Sequence, residues 1–295
     1  MAVKIICDAV SNLFKEIIAE KSLDVKVMNM HLTIGDKEYN CYNDELNISE
    51  FSKTYFQLIE DGEKVSTSLV NVGDFLEVFN EEVAKGNQVV CFTMAKGISG
   101  TNNSATIAAK EINEEQGKEV IHVIDTMTAG LGEGLQVIHA DQLVKEGKSF
   151  EEIIKDCEHF KLYVRSDFTV DNIKYLVKTG RVAKTLAKFI NLMKIKVLLK
   201  HNDESRIAFA GSVIGRKNSM KKLVKLVSEK INRDIEQTIY ITHCDVIEDA
   251  KKLEELLRGE GLTNKIEIYD YDLISGAHIG PKSLAIFYIS SEIAK

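Results

Sequence analysis

Two hundred and ninety-five residues, at roughly 100–200 per domain, suggest two domains, with one large domain still allowed. With 44% hydrophobic and 28% charged residues, the chain is excluded from the collagen-like, coiled-coil, disordered and disulfide-scaffold classes. Thirty-eight Lys+Arg against 45 Asp+Glu leave a net charge of −7, so the basic footprint that nucleic acid requires is missing and no nucleic-acid partner is expected.

In chain order, short apolar and β-branched runs at 3–7, 25–34, 88–94, 120–125, 162–164, 195–200, 206–214, 238–242, 266–271 and 284–289 predict strands. Segments of helical period lie between them, an alternation that predicts α/β architecture with largely parallel pairing. Asn47-Ile48-Ser49-Glu50 and Ser149-Phe150-Glu151-Glu152 have capping-box spacing, and Asn71 precedes the amphipathic run Phe75, Leu76, Val78, Phe79. A helical stretch is expected over 169–193. Asn202-Asp203-Glu204-Ser205 joins two strand-like runs with no room for a helix, which predicts a hairpin and a second half that is not purely parallel. No Gly, Ser or Pro linker marks a boundary. The change of pattern near 160–166 predicts two α/β domains, 1–163 with a mostly parallel sheet and 164–295 mixed with a hairpin, and a small-ligand site between them.

Several function classes are disfavoured. Cys7, Cys41, Cys91, Cys157 and Cys244 are scattered and odd in number, as expected of thiols kept reduced in a cytoplasm. The start MAVKIICDAV does not read as a signal peptide, and no window of about 18 apolar residues predicts a membrane span. The seven histidines show no H-x-x-x-H or H-E-x-x-H spacing, so no metal site is expected. There is no Walker A sequence, and Gly130-Leu131-Gly132-Glu133-Gly134 is one position short of a dinucleotide fingerprint.

Local chemistry gathers in three places. The run 88–94 leads into Ala95-Lys96-Gly97-Ile98-Ser99-Gly100-Thr101 and then a helix, which would set Ser99 beside unpaired amides where a negative oxygen is stabilised. A capped strand–helix turn is the plainer alternative. Val65-Ser66-Thr67-Ser68 supplies three hydroxyls before the Asn71-capped helix, and such clusters are commonly caps. His278 lies in Ser275-Gly276-Ala277-His278-Ile279-Gly280-Pro281, read as a turn between two strands and carrying the chain's only proline. A serine hydrolase with Ser99 as nucleophile and His278 as base is the rival reading, although the second glycine of G-x-S-x-G comes one place early. Two basic stretches stand out: Lys178, Arg181, Lys184 and Lys188, then Arg216, Lys217, Lys221, Lys222 and Lys225. Each fits either a solvated face or electrostatic docking on an acidic partner. Between them, Leu186, Phe189, Ile190, Leu192 and Met193 lead into Ile195, Val197 and Leu198, apolar surface suited to a core or to a long apolar ligand.

In order and spacing these boxes resemble the DegV family of bacterial fatty-acid-binding proteins over nearly the whole chain, about 3–290. The Asp-Ser-type loop is similar to Asp8-Ala9-Val10-Ser11, the T-S-Q-P-S box to Thr67-Ser68-Leu69-Val70-Asn71, and L-S-G-T-Y-x-S-A to 98–105. V-I-D-S is similar to Val123-Ile124-Asp125-Thr126, the F-x-V-D-x-L box with its G-G-R to 168–182, and H-T-G-P-G to His278-Ile279-Gly280-Pro281-Lys282. The resemblance implies a long-chain fatty acid held between two α/β domains and presented to a separate kinase subunit, which makes an acyl phosphate for phospholipid synthesis. It implies a non-catalytic carrier without cofactor, carboxylate ligands Thr67, Ser99 and His278 with Ser68 as a further one, and partner docking through Arg181 and Arg216. Departures from the family pattern are Leu69 and Val70 for Gln and Pro, Thr179 for the first Gly of G-G-R, Ile279 and Lys282 in the tail, and Ile214 where an arginine is expected.

Overall fold

Runs such as VKIICD and QVVCFT are apolar at successive positions because helices cover both of their faces, and they become the inner strands of a parallel sheet. The computed structural model describes residues 2–42, 47–190, 192 and 194–293. Its strands are β1 (Val3–Asp8), β2 (Val25–Met28), β3 (His31–Ile34), β4 (Lys37–Asn40), β5 (Val65–Thr67), β6 (Gln88–Thr93), β7 (Ile121–Asp125), β8 (Val164–Val170), β9 (Ile195–His201), β10 (Ile207–Ile214), β11 (Thr238–His243), β12 (Lys265–Asp270) and β13 (Leu284–Ile289). A four-stranded sheet in the order β2-β1-β6-β7 is parallel throughout. A six-stranded sheet in the order β10-β9-β8-β13-β11-β12 is mixed, with only β11 and β12 parallel. The third sheet is small and antiparallel, β4-β3-β5.

The mixed α/β class and the 202–205 hairpin, which joins antiparallel β9 and β10, are as expected. So are the caps. Ser149 Oγ accepts from the Glu152 amide while Glu152 accepts from the Ser149 amide, and Asn71 forms the same reciprocal box with Asp74.

Three expectations need correction. The run 25–34 is two strands in different sheets, β2 and β3, and β3 pairs with β4 and β5, whose three or four half-polar residues give no readable period. The helical stretch 169–193 is not continuous. β8 runs through Thr169 to Val170, every residue of it buried, followed by a short helix Lys174–Lys178, left-handed Gly180 (φ 73°) and a 3₁₀ turn Lys184–Phe189. A strand buried on both faces lacks the alternation that separates it from a buried helix. Met193 lies outside the described residues. Finally, His278 is not in a turn between strands but on a helix, Leu273–Ile279, capped by Asp272, whose carboxylate accepts from the Ser275 amide at 2.7 Å. That helix ends at Gly280 (φ 81°), with Pro281 following as a stop.

The main core joins both large sheets: Ile5, Phe92 and Ile124 of the parallel sheet share it with Phe168, Leu199 and Phe287 of the mixed one. Leu198, Ile239 and Tyr288 point to the opposite face of the mixed sheet and a second, smaller core. Along β9 the two-residue alternation therefore sets Val197, Leu199 and His201 toward the parallel sheet.

Candidate functional site

Asp8 ends β1 and is wholly buried; its carboxyl accepts from the amides of Val10 (2.9 Å) and Met94 (3.0 Å). Burial pushes this carboxyl up to about 6. The bond to Met94 fixes the start of loop 94–100. Asp125, at the end of β7, accepts from the Lys96 amide (3.2 Å) and from Ser205 Oγ (2.5 Å), tying the loop to the 202–205 hairpin. Gly97 is needed at the closest approach, because a Cβ there would lie 2.3 Å from the Ser205 carbonyl oxygen. Gly97→Val is therefore expected to cost about 1–3 kcal/mol by overpacking, a Tm loss of roughly 2–10 °C in a thermal melt.

The loop delivers Ser99 to the start of helix Thr101–Gln116. Ser99 Oγ accepts from the Thr101 amide (3.2 Å) and shares a hydrogen bond with Thr101 Oγ1 (3.0 Å). This is a hydroxyl at a helix N-terminus, where the remaining first-turn amides favour negative charge.

Thr67 reaches the same place from β5, which pairs with β3 in the small sheet. Its Oγ1 shares a 3.0 Å hydrogen bond with His278 Nε2, 211 residues later. His278 is half-buried, and desolvation, followed by the nearby Arg181 guanidinium, pushes its imidazole down to about 4. It is therefore neutral near pH 7, and Nδ1 has no partner among the described residues. Ser68 is engaged differently: its Oγ accepts from the His31 amide at 3.0 Å and closes the β3–β5 edge.

Thr67, Ser68, Ser99, Arg181 and His278 all line one cavity. Its walls are mostly apolar, with Met30, Met94, Phe168, Leu176, Ile274 and Ile279 among them. The structure thus brings the four predicted carboxylate ligands together. It also sets Arg181 into the cavity lining rather than on an outer face, partly desolvated and near His278. Arg216 is elsewhere: at the start of helix Arg216–Lys230, its Nε donates to Asp249 (2.9 Å), and its two terminal nitrogens are buried. Ile214, at the position of the expected arginine, is solvent-exposed.

His201 is among the lining residues that sequence reasoning did not single out. His201 is the last residue of β9, and its signal was present as a histidine continuing the inward-facing positions Val197 and Leu199. Among the described residues no group of three or more His, Cys, Asp or Glu is arranged to hold a metal ion. All five cysteines are buried and free, and among the described residues no helix is long and apolar enough to cross a membrane.

A family model described as "Uncharacterised protein, DegV family" matches residues 2–291. A DegV domain-containing protein of Clostridium perfringens is 33% identical over 285 residues, covering 97% of this chain and 96% of the relative. Among solved structures, a protein of Streptococcus agalactiae described as a fatty acid binding DegV family protein superimposes with a TM-score of 0.85 at 25% identity, covering 99% of each chain. A DegV family protein of Ruminococcus gnavus refined with vaccenic acid gives a TM-score of 0.83 at 22% identity over 97% of this chain and 99% of its own.

Proposed function

The chain belongs to the DegV family, and from that premise we propose that it is a non-catalytic carrier that holds a long-chain fatty acid in its cavity, between domains 1–163 and 164–295. The carboxylate is bound by Thr67, Ser99 and His278 and presented to a separate cytoplasmic kinase for acyl-phosphate formation. The observation that carries this reading is the convergence of two hydroxyls and a neutral imidazole on one cavity with apolar walls. The bound acid in the R. gnavus relative and the fatty acid binding of the S. agalactiae relative support it.

The physics is consistent. A buried carboxylate is costly unless hydrogen-bonded, and hydroxyl, amide and imidazole donors supply those bonds. Burial of the chain, at about 0.8 kcal/mol per methylene, supplies most of the affinity. Kinase docking falls to Arg181, at the cavity lining, and to the exposed Lys178, Lys184 and Lys188, its neighbours in sequence. Arg216, turned inward to Asp249, is left out of that set.

A hydrolase would need Ser99 bonded to a base and that base oriented by an acid. Here Ser99 bonds Thr101, and His278 Nε2 bonds Thr67. A fluorophosphonate probe is therefore expected to leave Ser99 unlabelled; stoichiometric labelling would favour the enzyme. Calorimetric titration of delipidated protein with palmitate or oleate should show one saturable site with micromolar or tighter Kd. Absence of binding to both acids would refute the carrier reading.

A further inference from the structure

His201 is a polar group set into the apolar wall of the cavity. The side chain is 9% exposed, it lines the cavity, and neither ring nitrogen has a hydrogen-bond partner among the described residues. Its ring packs against Phe168 at 5.8 Å between centroids, and its cross-strand neighbour on β10, Ile207, also lines the cavity. The alternation of β9 points it inward with Val197 and Leu199, where a third aliphatic residue would complete the wall. A buried donor–acceptor left unpaired is destabilising, and native structures rarely keep one without a reason.

The facing charges do not supply that reason. Asp125 is near enough to act on the ring, but its two carboxylate oxygens are taken up by the Lys96 and Met127 amides and by Ser205 Oγ. Burial outweighs its pull and holds the imidazole neutral at pH 7, with one nitrogen donating and the other accepting. A purely hydrocarbon chain against this wall would leave both nitrogens unsatisfied. A hydroxyl, which can both donate and accept, would pair with either one.

Building on the fatty-acid reading of this site, we propose that His201 is a specificity residue that selects an oxygenated acyl chain, a hydroxy fatty acid, over its unsubstituted parent. The Thr67, Ser99 and His278 end is common to both ligands; the distinction is made along the chain.

The test is a calorimetric comparison of delipidated wild type and His201→Leu with palmitate, 3-hydroxypalmitate, stearate and 12-hydroxystearate. Wild type is expected to bind at least one hydroxy acid about tenfold more tightly than its parent. His201→Leu should abolish that preference while binding the parent acids as well as or better than wild type does. His201→Asn, which keeps a donor and an acceptor, should retain part of it. The inference is overturned if wild type binds both parents at least as tightly as their hydroxy forms, or if His201→Leu weakens all four acids equally. Failure of wild type to bind any of the four would refute the underlying fatty-acid reading instead.

Discussion

Thr67→Val and His278→Leu are each expected to weaken palmitate binding roughly tenfold to a hundredfold, because each removes a hydrogen bond to a charged group worth about 1.5–3 kcal/mol. The two side chains share a 3.0 Å hydrogen bond across the cavity. Each therefore positions the other, and the double variant should lose less than the product of the single losses. Hexadecanol, which has the chain without the charge, should be affected far less by either substitution. Isothermal titration of both ligands checks this. Equal losses for acid and alcohol would mean that the pair shapes the cavity without binding the carboxylate.

Glu133→Gln is expected to raise Tm at pH 8–9 and to flatten the alkaline side of the pH–stability curve. Glu133 is fully buried in the first turn of helix Leu131–Lys145, near Asp8 and Asp272. Burial first, and then the neighbouring Asp8, raises its carboxyl well above the usual range, while burial brings Asp272 up to about 7. A carboxyl whose folded pKa exceeds its unfolded value holds more protons when folded. Its contribution is complete below the unfolded pKa near 4 and is lost as pH rises through the folded value. His201 and His278, both pushed down to about 4, act in the opposite sense, but only up to their unfolded pKa of about 6.5. Above about pH 6.5 the histidine contributions are complete and the raised carboxyl remains, so wild-type stability should fall from there toward pH 9. Glutamine keeps the shape of Glu133 without needing a proton. Melts of both proteins at pH 6 and pH 9 decide the matter; a wild type that gains stability between those values would contradict the assignment.

The sequence made the scaffold legible where burial and period agree. The inner strands β1, β6 and β13, the Ser149 and Asn71 caps and the 202–205 hairpin are readable from apolar runs, side-chain spacing and turn chemistry. Thr67, Ser99 and His278 were nameable because their boxes resemble a family. Nothing local shows that they meet. Thr67 sits on a three-residue strand whose partner lies about 35 residues upstream, and His278 on a seven-residue helix too short to show a period. Arg181 reads as one of a row of basic residues, and only the bend at Gly180 turns it toward the cavity while Lys178 and Lys184 stay exposed. His201 was visible as a polar residue on an inward strand position, but its meaning depends on the cavity it faces.

Native mass spectrometry of the protein purified from a bacterial host tests the carrier account most directly. The account predicts a population heavier than the polypeptide by the mass of a long-chain fatty acid, released on denaturation and diminished in Thr67→Val, His278→Leu and Ser99→Ala. Protein found only at its polypeptide mass, with no uptake of added palmitate or oleate, would contradict it.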